Sequence, residues 1–188
     1  EYREWIALLA MKPGEDPRDL SRRRDLWLVP HGQKLCVRLI MGEYEKAAEA
    51  CVPGSQAGFS ALRGPPEQML MLHAHKEDCA AQQRPCLRGY VDMGVFFMSC
   101  VREAQWEVEQ RSRVKPAVSA VMRALHSSVK GVYETEWGLA DAVEVHEGVG
   151  QGCVAAPVRS KLMLSVMQRT VSTLCHGYKF SGASGGTP

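Results

Sequence analysis

The stretch GVGQGCVAAP, Gly148 to Pro157, constrains the fold more than any other part of this chain. A valine-rich strand pattern runs into three glycines spaced two apart, and Pro157 follows where an amphipathic pattern begins. Lacking a Cβ, Gly148, Gly150 and Gly152 let the backbone approach a flat partner and take positive φ without steric cost. Gln151 between them offers a donor and acceptors suited to a base or sugar edge. Proline fits the first turn of a helix, so the stretch reads as strand, tight bend and helix.

With 188 residues, 45% of them hydrophobic, the chain can bury a core as one domain or hold two lobes of a larger one. It begins at Glu1 and ends in SGASGGTP, and so reads as a piece of a longer product. A formal charge of +2 is too balanced for whole-surface attraction to nucleic acid, which leaves local patches for any such binding. The seven cysteines are scattered and form no CxxC pair. With no signal peptide in view, reduced intracellular thiols are expected. No apolar run approaches the roughly 20 residues that span a bilayer, so no membrane partner is expected.

Turn signals at Lys12-Pro13-Gly14 and Asp16-Pro17 separate a short apolar element from a strand at Leu26 to Val29. A helix is expected over Gln33 to Cys51 on the spacing of Leu35, Leu39, Ile40, Ala47 and Cys51. Pro65-Pro66 opens a second helix to about Gln83, and CLRGYVDMGV after Pro85 reads as a buried strand. Further helices are expected over Phe96 to Gln110 and Lys115 to Val129, the latter closed by Gly131. A hairpin follows, Val132 to Trp137 and Ala142 to Glu147 around Gly138 to Asp141. The last helix, Val158 to Cys175, carries an apolar stripe from Leu162 to Leu174. Helices and strands without regular alternation imply α+β.

Asp92 ends the apolar run LRGYVD, where a carboxylate would project from a sheet edge into a cleft, and Phe97 stands five residues on. A strand-end aspartate, an aromatic at that spacing and, later in the chain, a glycine-glutamine element together resemble the first catalytic motif and the G-x-x-Q-G-x-x-x-S-P element of reverse transcriptases. KPGEDPRDLSRRRDLWL resembles the family's fingers segment, SQAGF its Q-x-G-F loop, YETEWG its hairpin and GYKF the approach to its Asp-Asp strand. The resemblance covers nearly the whole chain in the family order and is nearest to non-LTR retrotransposon polymerases. It departs from the pattern at Asp25, Phe96, Met98 and Ala156, and no Asp-Asp pair is present.

The resemblance implies a right-hand polymerase: fingers over residues 1–85, a partial palm over 86–188, and helices on a small antiparallel sheet. It implies an RNA template, a DNA primer, deoxynucleoside triphosphates and magnesium as partners, together with further palm, thumb and endonuclease regions of a parent polyprotein. Asp92, with the Met93 carbonyl, would bind metal. Lys12 and Arg24 would grip the triphosphate, Arg24 bidentately. Phe97 would lie under the sugar and exclude a 2′-hydroxyl, although a core position suits it too. Gln151 and Gly152 would position nucleotide and template. Asp92 alone cannot hold two ions about 4 Å apart, so the chain as given is not expected to polymerise.

Two other readings stand beside this one. The first is a decayed retroelement remnant that binds nucleic acid or protein without catalysis. The second is a helical interaction domain with no strand at Asp92. In HAHKEDC, His73 and His75 are two apart on a helix and point to different sides, so solvated or core roles are expected there in place of zinc. Arg159, Lys161 and Arg169 suit phosphate contacts or a solvated face equally.

Overall fold

Two tryptophans from adjacent strands, Trp5 and Trp27, meet edge-on at the centre of the molecule, their rings 6.1 Å apart. The computed structural model describes residues 4–10, 14, 16, 19, 23–94, 96–135 and 137–181. Strands β1 (Glu4–Ala10) and β2 (Arg24–Leu28) pair antiparallel, with Ile6 opposite Leu28. On its other edge β1 runs parallel to β3 (Val129–Thr135), with Ile6 opposite Val132. β3 also pairs antiparallel with β4 (Gly138–Leu139) and β5 (Val143–Val145). Alternation along β1 turns Trp5 and Ala7 fully inward, as the two-residue period of a half-buried strand requires.

Six helices complete the described residues: α1 (His31–Cys51), α2 (Pro65–Ala81), α3 (Phe96–Ser99), α4 (Arg102–Arg111), α5 (Pro116–His126) and α6 (Ala156–Leu174). α1, α4, α5 and α6 pack on one another beside the sheet, around Val37, Met41, Tyr44, Val118, Met122 and Leu162. The chain is therefore α+β, as expected. The sheet, however, is mixed and not antiparallel, because β1 and β3, far apart in sequence, run side by side. No helix among the described residues is long and apolar enough to cross a membrane.

Four expected elements differ. Residues 86–92 form no strand; Leu87, Tyr90 and Val91 are 87%, 77% and 89% exposed. A strand needs a neighbour for its backbone groups, and this segment has none among the described residues. The helix expected over 96–110 breaks at Cys100-Val101. There the carbonyls of Phe97 and Cys100 accept hydrogen bonds from Val149 N–H (2.7 Å) and Gly148 N–H (2.9 Å). The helix expected to reach Val129 stops at His126, and Val129 opens β3 instead. Gly131 is thus a strand residue under Trp27, where a Cβ would stand 2.6 Å from the ring. On α1 the inward face is Gln33, Val37, Met41, Tyr44 and Ala48, while Leu35 and Leu39 are exposed. Gln33 takes the inward place because it bridges Trp5 Nε1–H (3.0 Å) and the Leu125 carbonyl (2.9 Å). Antiparallel pairing follows β3 as expected, but Gly138 and Leu139 of the expected turn form β4 against Thr135 and Glu134, and β5 pairs with Val129, Lys130 and Gly131, ahead of the expected first strand.

Several charged and polar side chains are buried behind the sheet. Arg159 and Glu109 form a buried ion pair at 3.0 Å, Ser119 donates to the same carboxylate, and the Arg159 guanidinium lies 4.3 Å over the Trp106 ring. Lys161 pairs with Glu49, and Arg169 donates to the Cys51 carbonyl. Arg159 and Lys161 are therefore buried in ion pairs and not available to phosphate, whereas Arg169 is exposed. The apolar stripe expected on α6 is correspondingly split: Leu162 is buried, whereas Val166, Met167, Val171 and Leu174 are exposed.

His126 is fully buried. Its Nδ1 contacts the Met122 carbonyl at 2.8 Å and its Nε2 contacts Cys153 Sγ at 3.4 Å. A carbonyl only accepts, so Nδ1 carries the proton and Nε2 accepts from the Cys153 thiol; burial keeps that thiol protonated by raising its pKa. Burial first, and the Arg159 charge second, hold the His126 pKa down to about 3. An unfolded histidine protonates near pH ~6.5. Stability should therefore be full above that pH and fall as pH drops from ~6.5 toward ~3, because only the unfolded chain takes up the proton. His126→Gln should flatten this acid limb in urea midpoints measured across the window. An undiminished slope in the variant would assign it to other groups.

Candidate functional site

The glycine bend is docked on the sheet by contacts with no spare room. Trp27 N–H donates to the Gln151 carbonyl at 2.8 Å. A Cβ on Gly152 (φ +121°) would stand 2.4 Å from the Trp27 carbonyl oxygen, and one on Gly150 would stand 2.5 Å from the Trp5 ring. At Gly148 (φ +83°) a Cβ would meet the Met98 backbone at 2.8 Å. The flat partner these glycines admit is the protein's own tryptophan pair and the α3 backbone. From behind, buried Arg102 donates to the carbonyls of Gly148 (3.2 Å), Glu147 (3.4 Å) and His126 (2.8 Å). That ties the bend to the end of α5.

These two sets of contacts bring three remote parts of the chain together. Arg24 opens β2, Asp92 and Met93 precede α3, Phe97 lies on α3, and Gln151 sits in the bend. All five line one pocket of about 360 Å³. Asp25 lines it as well, and partial burial raises its carboxyl pKa. Asp92 is exposed and reaches the pocket from irregular chain instead of from a strand end. Phe97 is half-buried, edge-on to Phe59 of the SQAGF loop at 6.4 Å and to Phe96 at 5.9 Å. It thus packs against the core and borders the pocket at once. Gly152 borders Trp27 and does not line the pocket. Lys12 lies outside the described residues.

The pocket's chemistry is that of an anion site beside a carboxylate. Arg24 offers a planar fork of donors that matches phosphate or carboxylate, Asp92 offers hard oxygen ligands, and Gln151 offers both donor and acceptor. Sequence reasoning passed over Asp25, treating it only as a departure from pattern, although its place next to Arg24 was a signal. It also passed over Arg102, whose three buried carbonyl partners come from distant segments. No family model and no curated protein matches this chain.

Gly152→Ala should cost at least about 1–3 kcal/mol, from a strained positive φ compounded by the approach to the Trp27 carbonyl. Urea unfolding would measure it, with Gly177→Ala, where a Cβ meets nothing within 4 Å, as the near-neutral comparison. Equal midpoints for the two variants would contradict the tight docking.

Proposed function

We propose that the chain is the fingers and part of the palm of a reverse transcriptase of the non-LTR retrotransposon type, and that its pocket receives a deoxynucleoside triphosphate. One observation carries this reading: Arg24, Asp92, Met93, Phe97 and Gln151, from three segments remote in sequence, border the same pocket. The family resemblance assigns Arg24, Phe97 and Gln151 to the nucleotide and Asp92 and Met93 to its metal, and accidental motif matches give no reason for them to converge; of the other two nucleotide positions it implies, Gly152 does not line the pocket and Lys12 lies outside the described residues.

On this reading the Arg24 guanidinium holds the triphosphate by charge-assisted hydrogen bonds. Phe97 lies under the sugar and crowds out a 2′-hydroxyl, and Gln151 sets the position of the base. The Asp92 carboxylate and the Met93 carbonyl are oxygen donors of the kind magnesium takes, usually with one or two carboxylates and the substrate's phosphates. When bound, magnesium neutralises triphosphate charge and makes an attacking hydroxyl more acidic. Two ions need more carboxylates than Asp92 and Asp25, and the one group of three ligand-type side chains among the described residues lies elsewhere. The remaining carboxylates are therefore assigned to other parts of a parent polyprotein, with the thumb and the rest of the palm. RNA template and DNA primer bind in that larger assembly.

A second reading, a remnant that binds nucleic acid or protein without catalysis, draws on the unpaired state of residues 86–92 and on Phe96 and Met98 at departed positions. The helical-domain reading matches the missing strand at Asp92 but not the five-stranded sheet.

Titration of the chain with deoxynucleoside triphosphate and magnesium tests the pocket. Arg24→Ala should weaken binding about ten- to hundredfold, the equivalent of ~1.5–3 kcal/mol for hydrogen bonds to a charged group. Phe97→Ala should narrow the preference over ribonucleotides. In the intact parent protein Asp92→Ala should abolish primer extension. Parent activity that survives Asp92→Ala would remove Asp92 from the chemistry, and no parent activity at all would favour the remnant.

A further inference from the structure

A second cluster of chemistry-bearing side chains lies away from this pocket, on α2 and the chain that follows it. His75 and Cys79 are four residues apart and so share one face of the helix. Cys86, beyond the turn at Gln82 to Arg84, folds back onto that face. One ligand atom from each of the three lies within 4.8 Å of the others, with Cys86 Sγ 3.9 Å from His75 Nδ1. Cys79 is buried, His75 is half-buried and Cys86 is exposed. His73, on the other side of the helix, has no part in the cluster. From the sequence, only His73 and His75 are weighed together, and Cys86 lies past Pro85, outside the run HAHKEDC.

The surroundings hold this face in place. The Tyr178 ring lies 4.1 Å from the His75 ring, and its hydroxyl donates to Asp78 at 2.6 Å. Ser181 donates to the same carboxylate from its backbone N–H at 3.0 Å and from its hydroxyl. Ser181, and Tyr178 after it, hold Asp78 well below the usual carboxylate range. The GYKF segment is therefore strapped over α2 beside the cluster. Segment 84–92, in contrast, makes two hydrogen bonds to α2 among the described residues: Arg84 N–H donates to the Cys79 carbonyl (2.9 Å), and Arg88 donates to the Leu72 carbonyl (2.5 Å).

We propose that His75, Cys79 and Cys86 bind one zinc ion, with water in the fourth position, and that the ion staples segment 84–92 to α2. Two thiolates and an imidazole are the soft and borderline donors that zinc takes. Zinc bonds of about 2.3 Å to sulfur and about 2.0 Å to nitrogen place tetrahedral ligand atoms about 3.5–3.8 Å apart. The cluster is within about 1 Å of that spacing, a difference within the reach of side-chain rotation. Binding releases the thiol protons of Cys79 and Cys86 to solvent, so affinity rises with pH. The site goes beyond the polymerase reading and does not depend on it.

The untagged chain, purified under reducing conditions and dialysed against zinc, should retain one equivalent by elemental analysis. Cobalt in its place should give the near-ultraviolet absorption of thiolate-to-metal charge transfer. Cys86→Ser, an exposed position that should leave the fold intact by circular dichroism, should weaken zinc binding at least tenfold, and Cys79→Ser/Cys86→Ser should abolish it. Cys36→Ser/Cys175→Ser should bind as the parent does. Zinc should also slow hydrogen exchange across residues 84–92. Retention of a full equivalent by Cys79→Ser/Cys86→Ser, failure of the parent to bind zinc, or a Cys79–Cys86 disulfide in the reduced preparation would each overturn the proposal.

Discussion

The close seating of a glycine bend on two tryptophans is the contact from which the rest of the molecule's geometry follows. Trp27 is met by Gly131 from β3 below and by Gly152 from the bend beside it, and Trp5 is met by Gly150; in all three places a Cβ would intrude to 2.6 Å or less. Large rings against bare backbone leave no void, and a close-packed interior transmits such a fit to its neighbours. Because Trp27 also donates to the Gln151 carbonyl, the bend cannot slide along β2. Arg24, three residues before Trp27, is then fixed beside Gln151. The positions of α3 and Asp92 follow from the hydrogen bonds that Gly148 and Val149 make to Cys100 and Phe97.

Buried charge supports this arrangement from the other side. Removing an arginine from water is costly unless its donors find partners, and Arg102 finds three carbonyls where α5 ends and the bend begins. Arg159 meets Glu109 and the Trp106 face. The two guanidiniums also favour a neutral His126, whose ring sits edge-on to Trp5 at 5.6 Å. The polar interior thus defines where helices α4, α5 and α6 meet the bend, and it does so with groups whose geometry admits few alternatives.

What was legible in the sequence is what local chemistry decides. Pro65-Pro66 and Pro157 mark helix starts, and α1 and α6 lie within two residues of their expected limits. The motif order also singled out residues that border one pocket. What was not legible depends on partners remote in sequence. The α3–α4 break arises from amides some fifty residues away, Gly131 serves a ring on another strand, and Arg159 looks like a surface cation until Glu109 is placed beside it. The run before Asp92 has the apolar pattern of a strand, but pattern alone forms no ladder without a neighbouring strand. Cys86 belongs with His75 and Cys79 only once the chain turns back at the end of α2.

The nucleotide site proposed at Arg24, Asp92, Phe97 and Gln151 requires the bend to be seated on Trp27. A crystal structure of the chain soaked with a deoxynucleoside triphosphate and magnesium tests it most directly. Phosphate density is expected between Arg24 and Asp92, with the sugar over Phe97 and the base toward Gln151. Density for the nucleotide at another surface, or Asp92 and Gln151 facing away from each other, would contradict it.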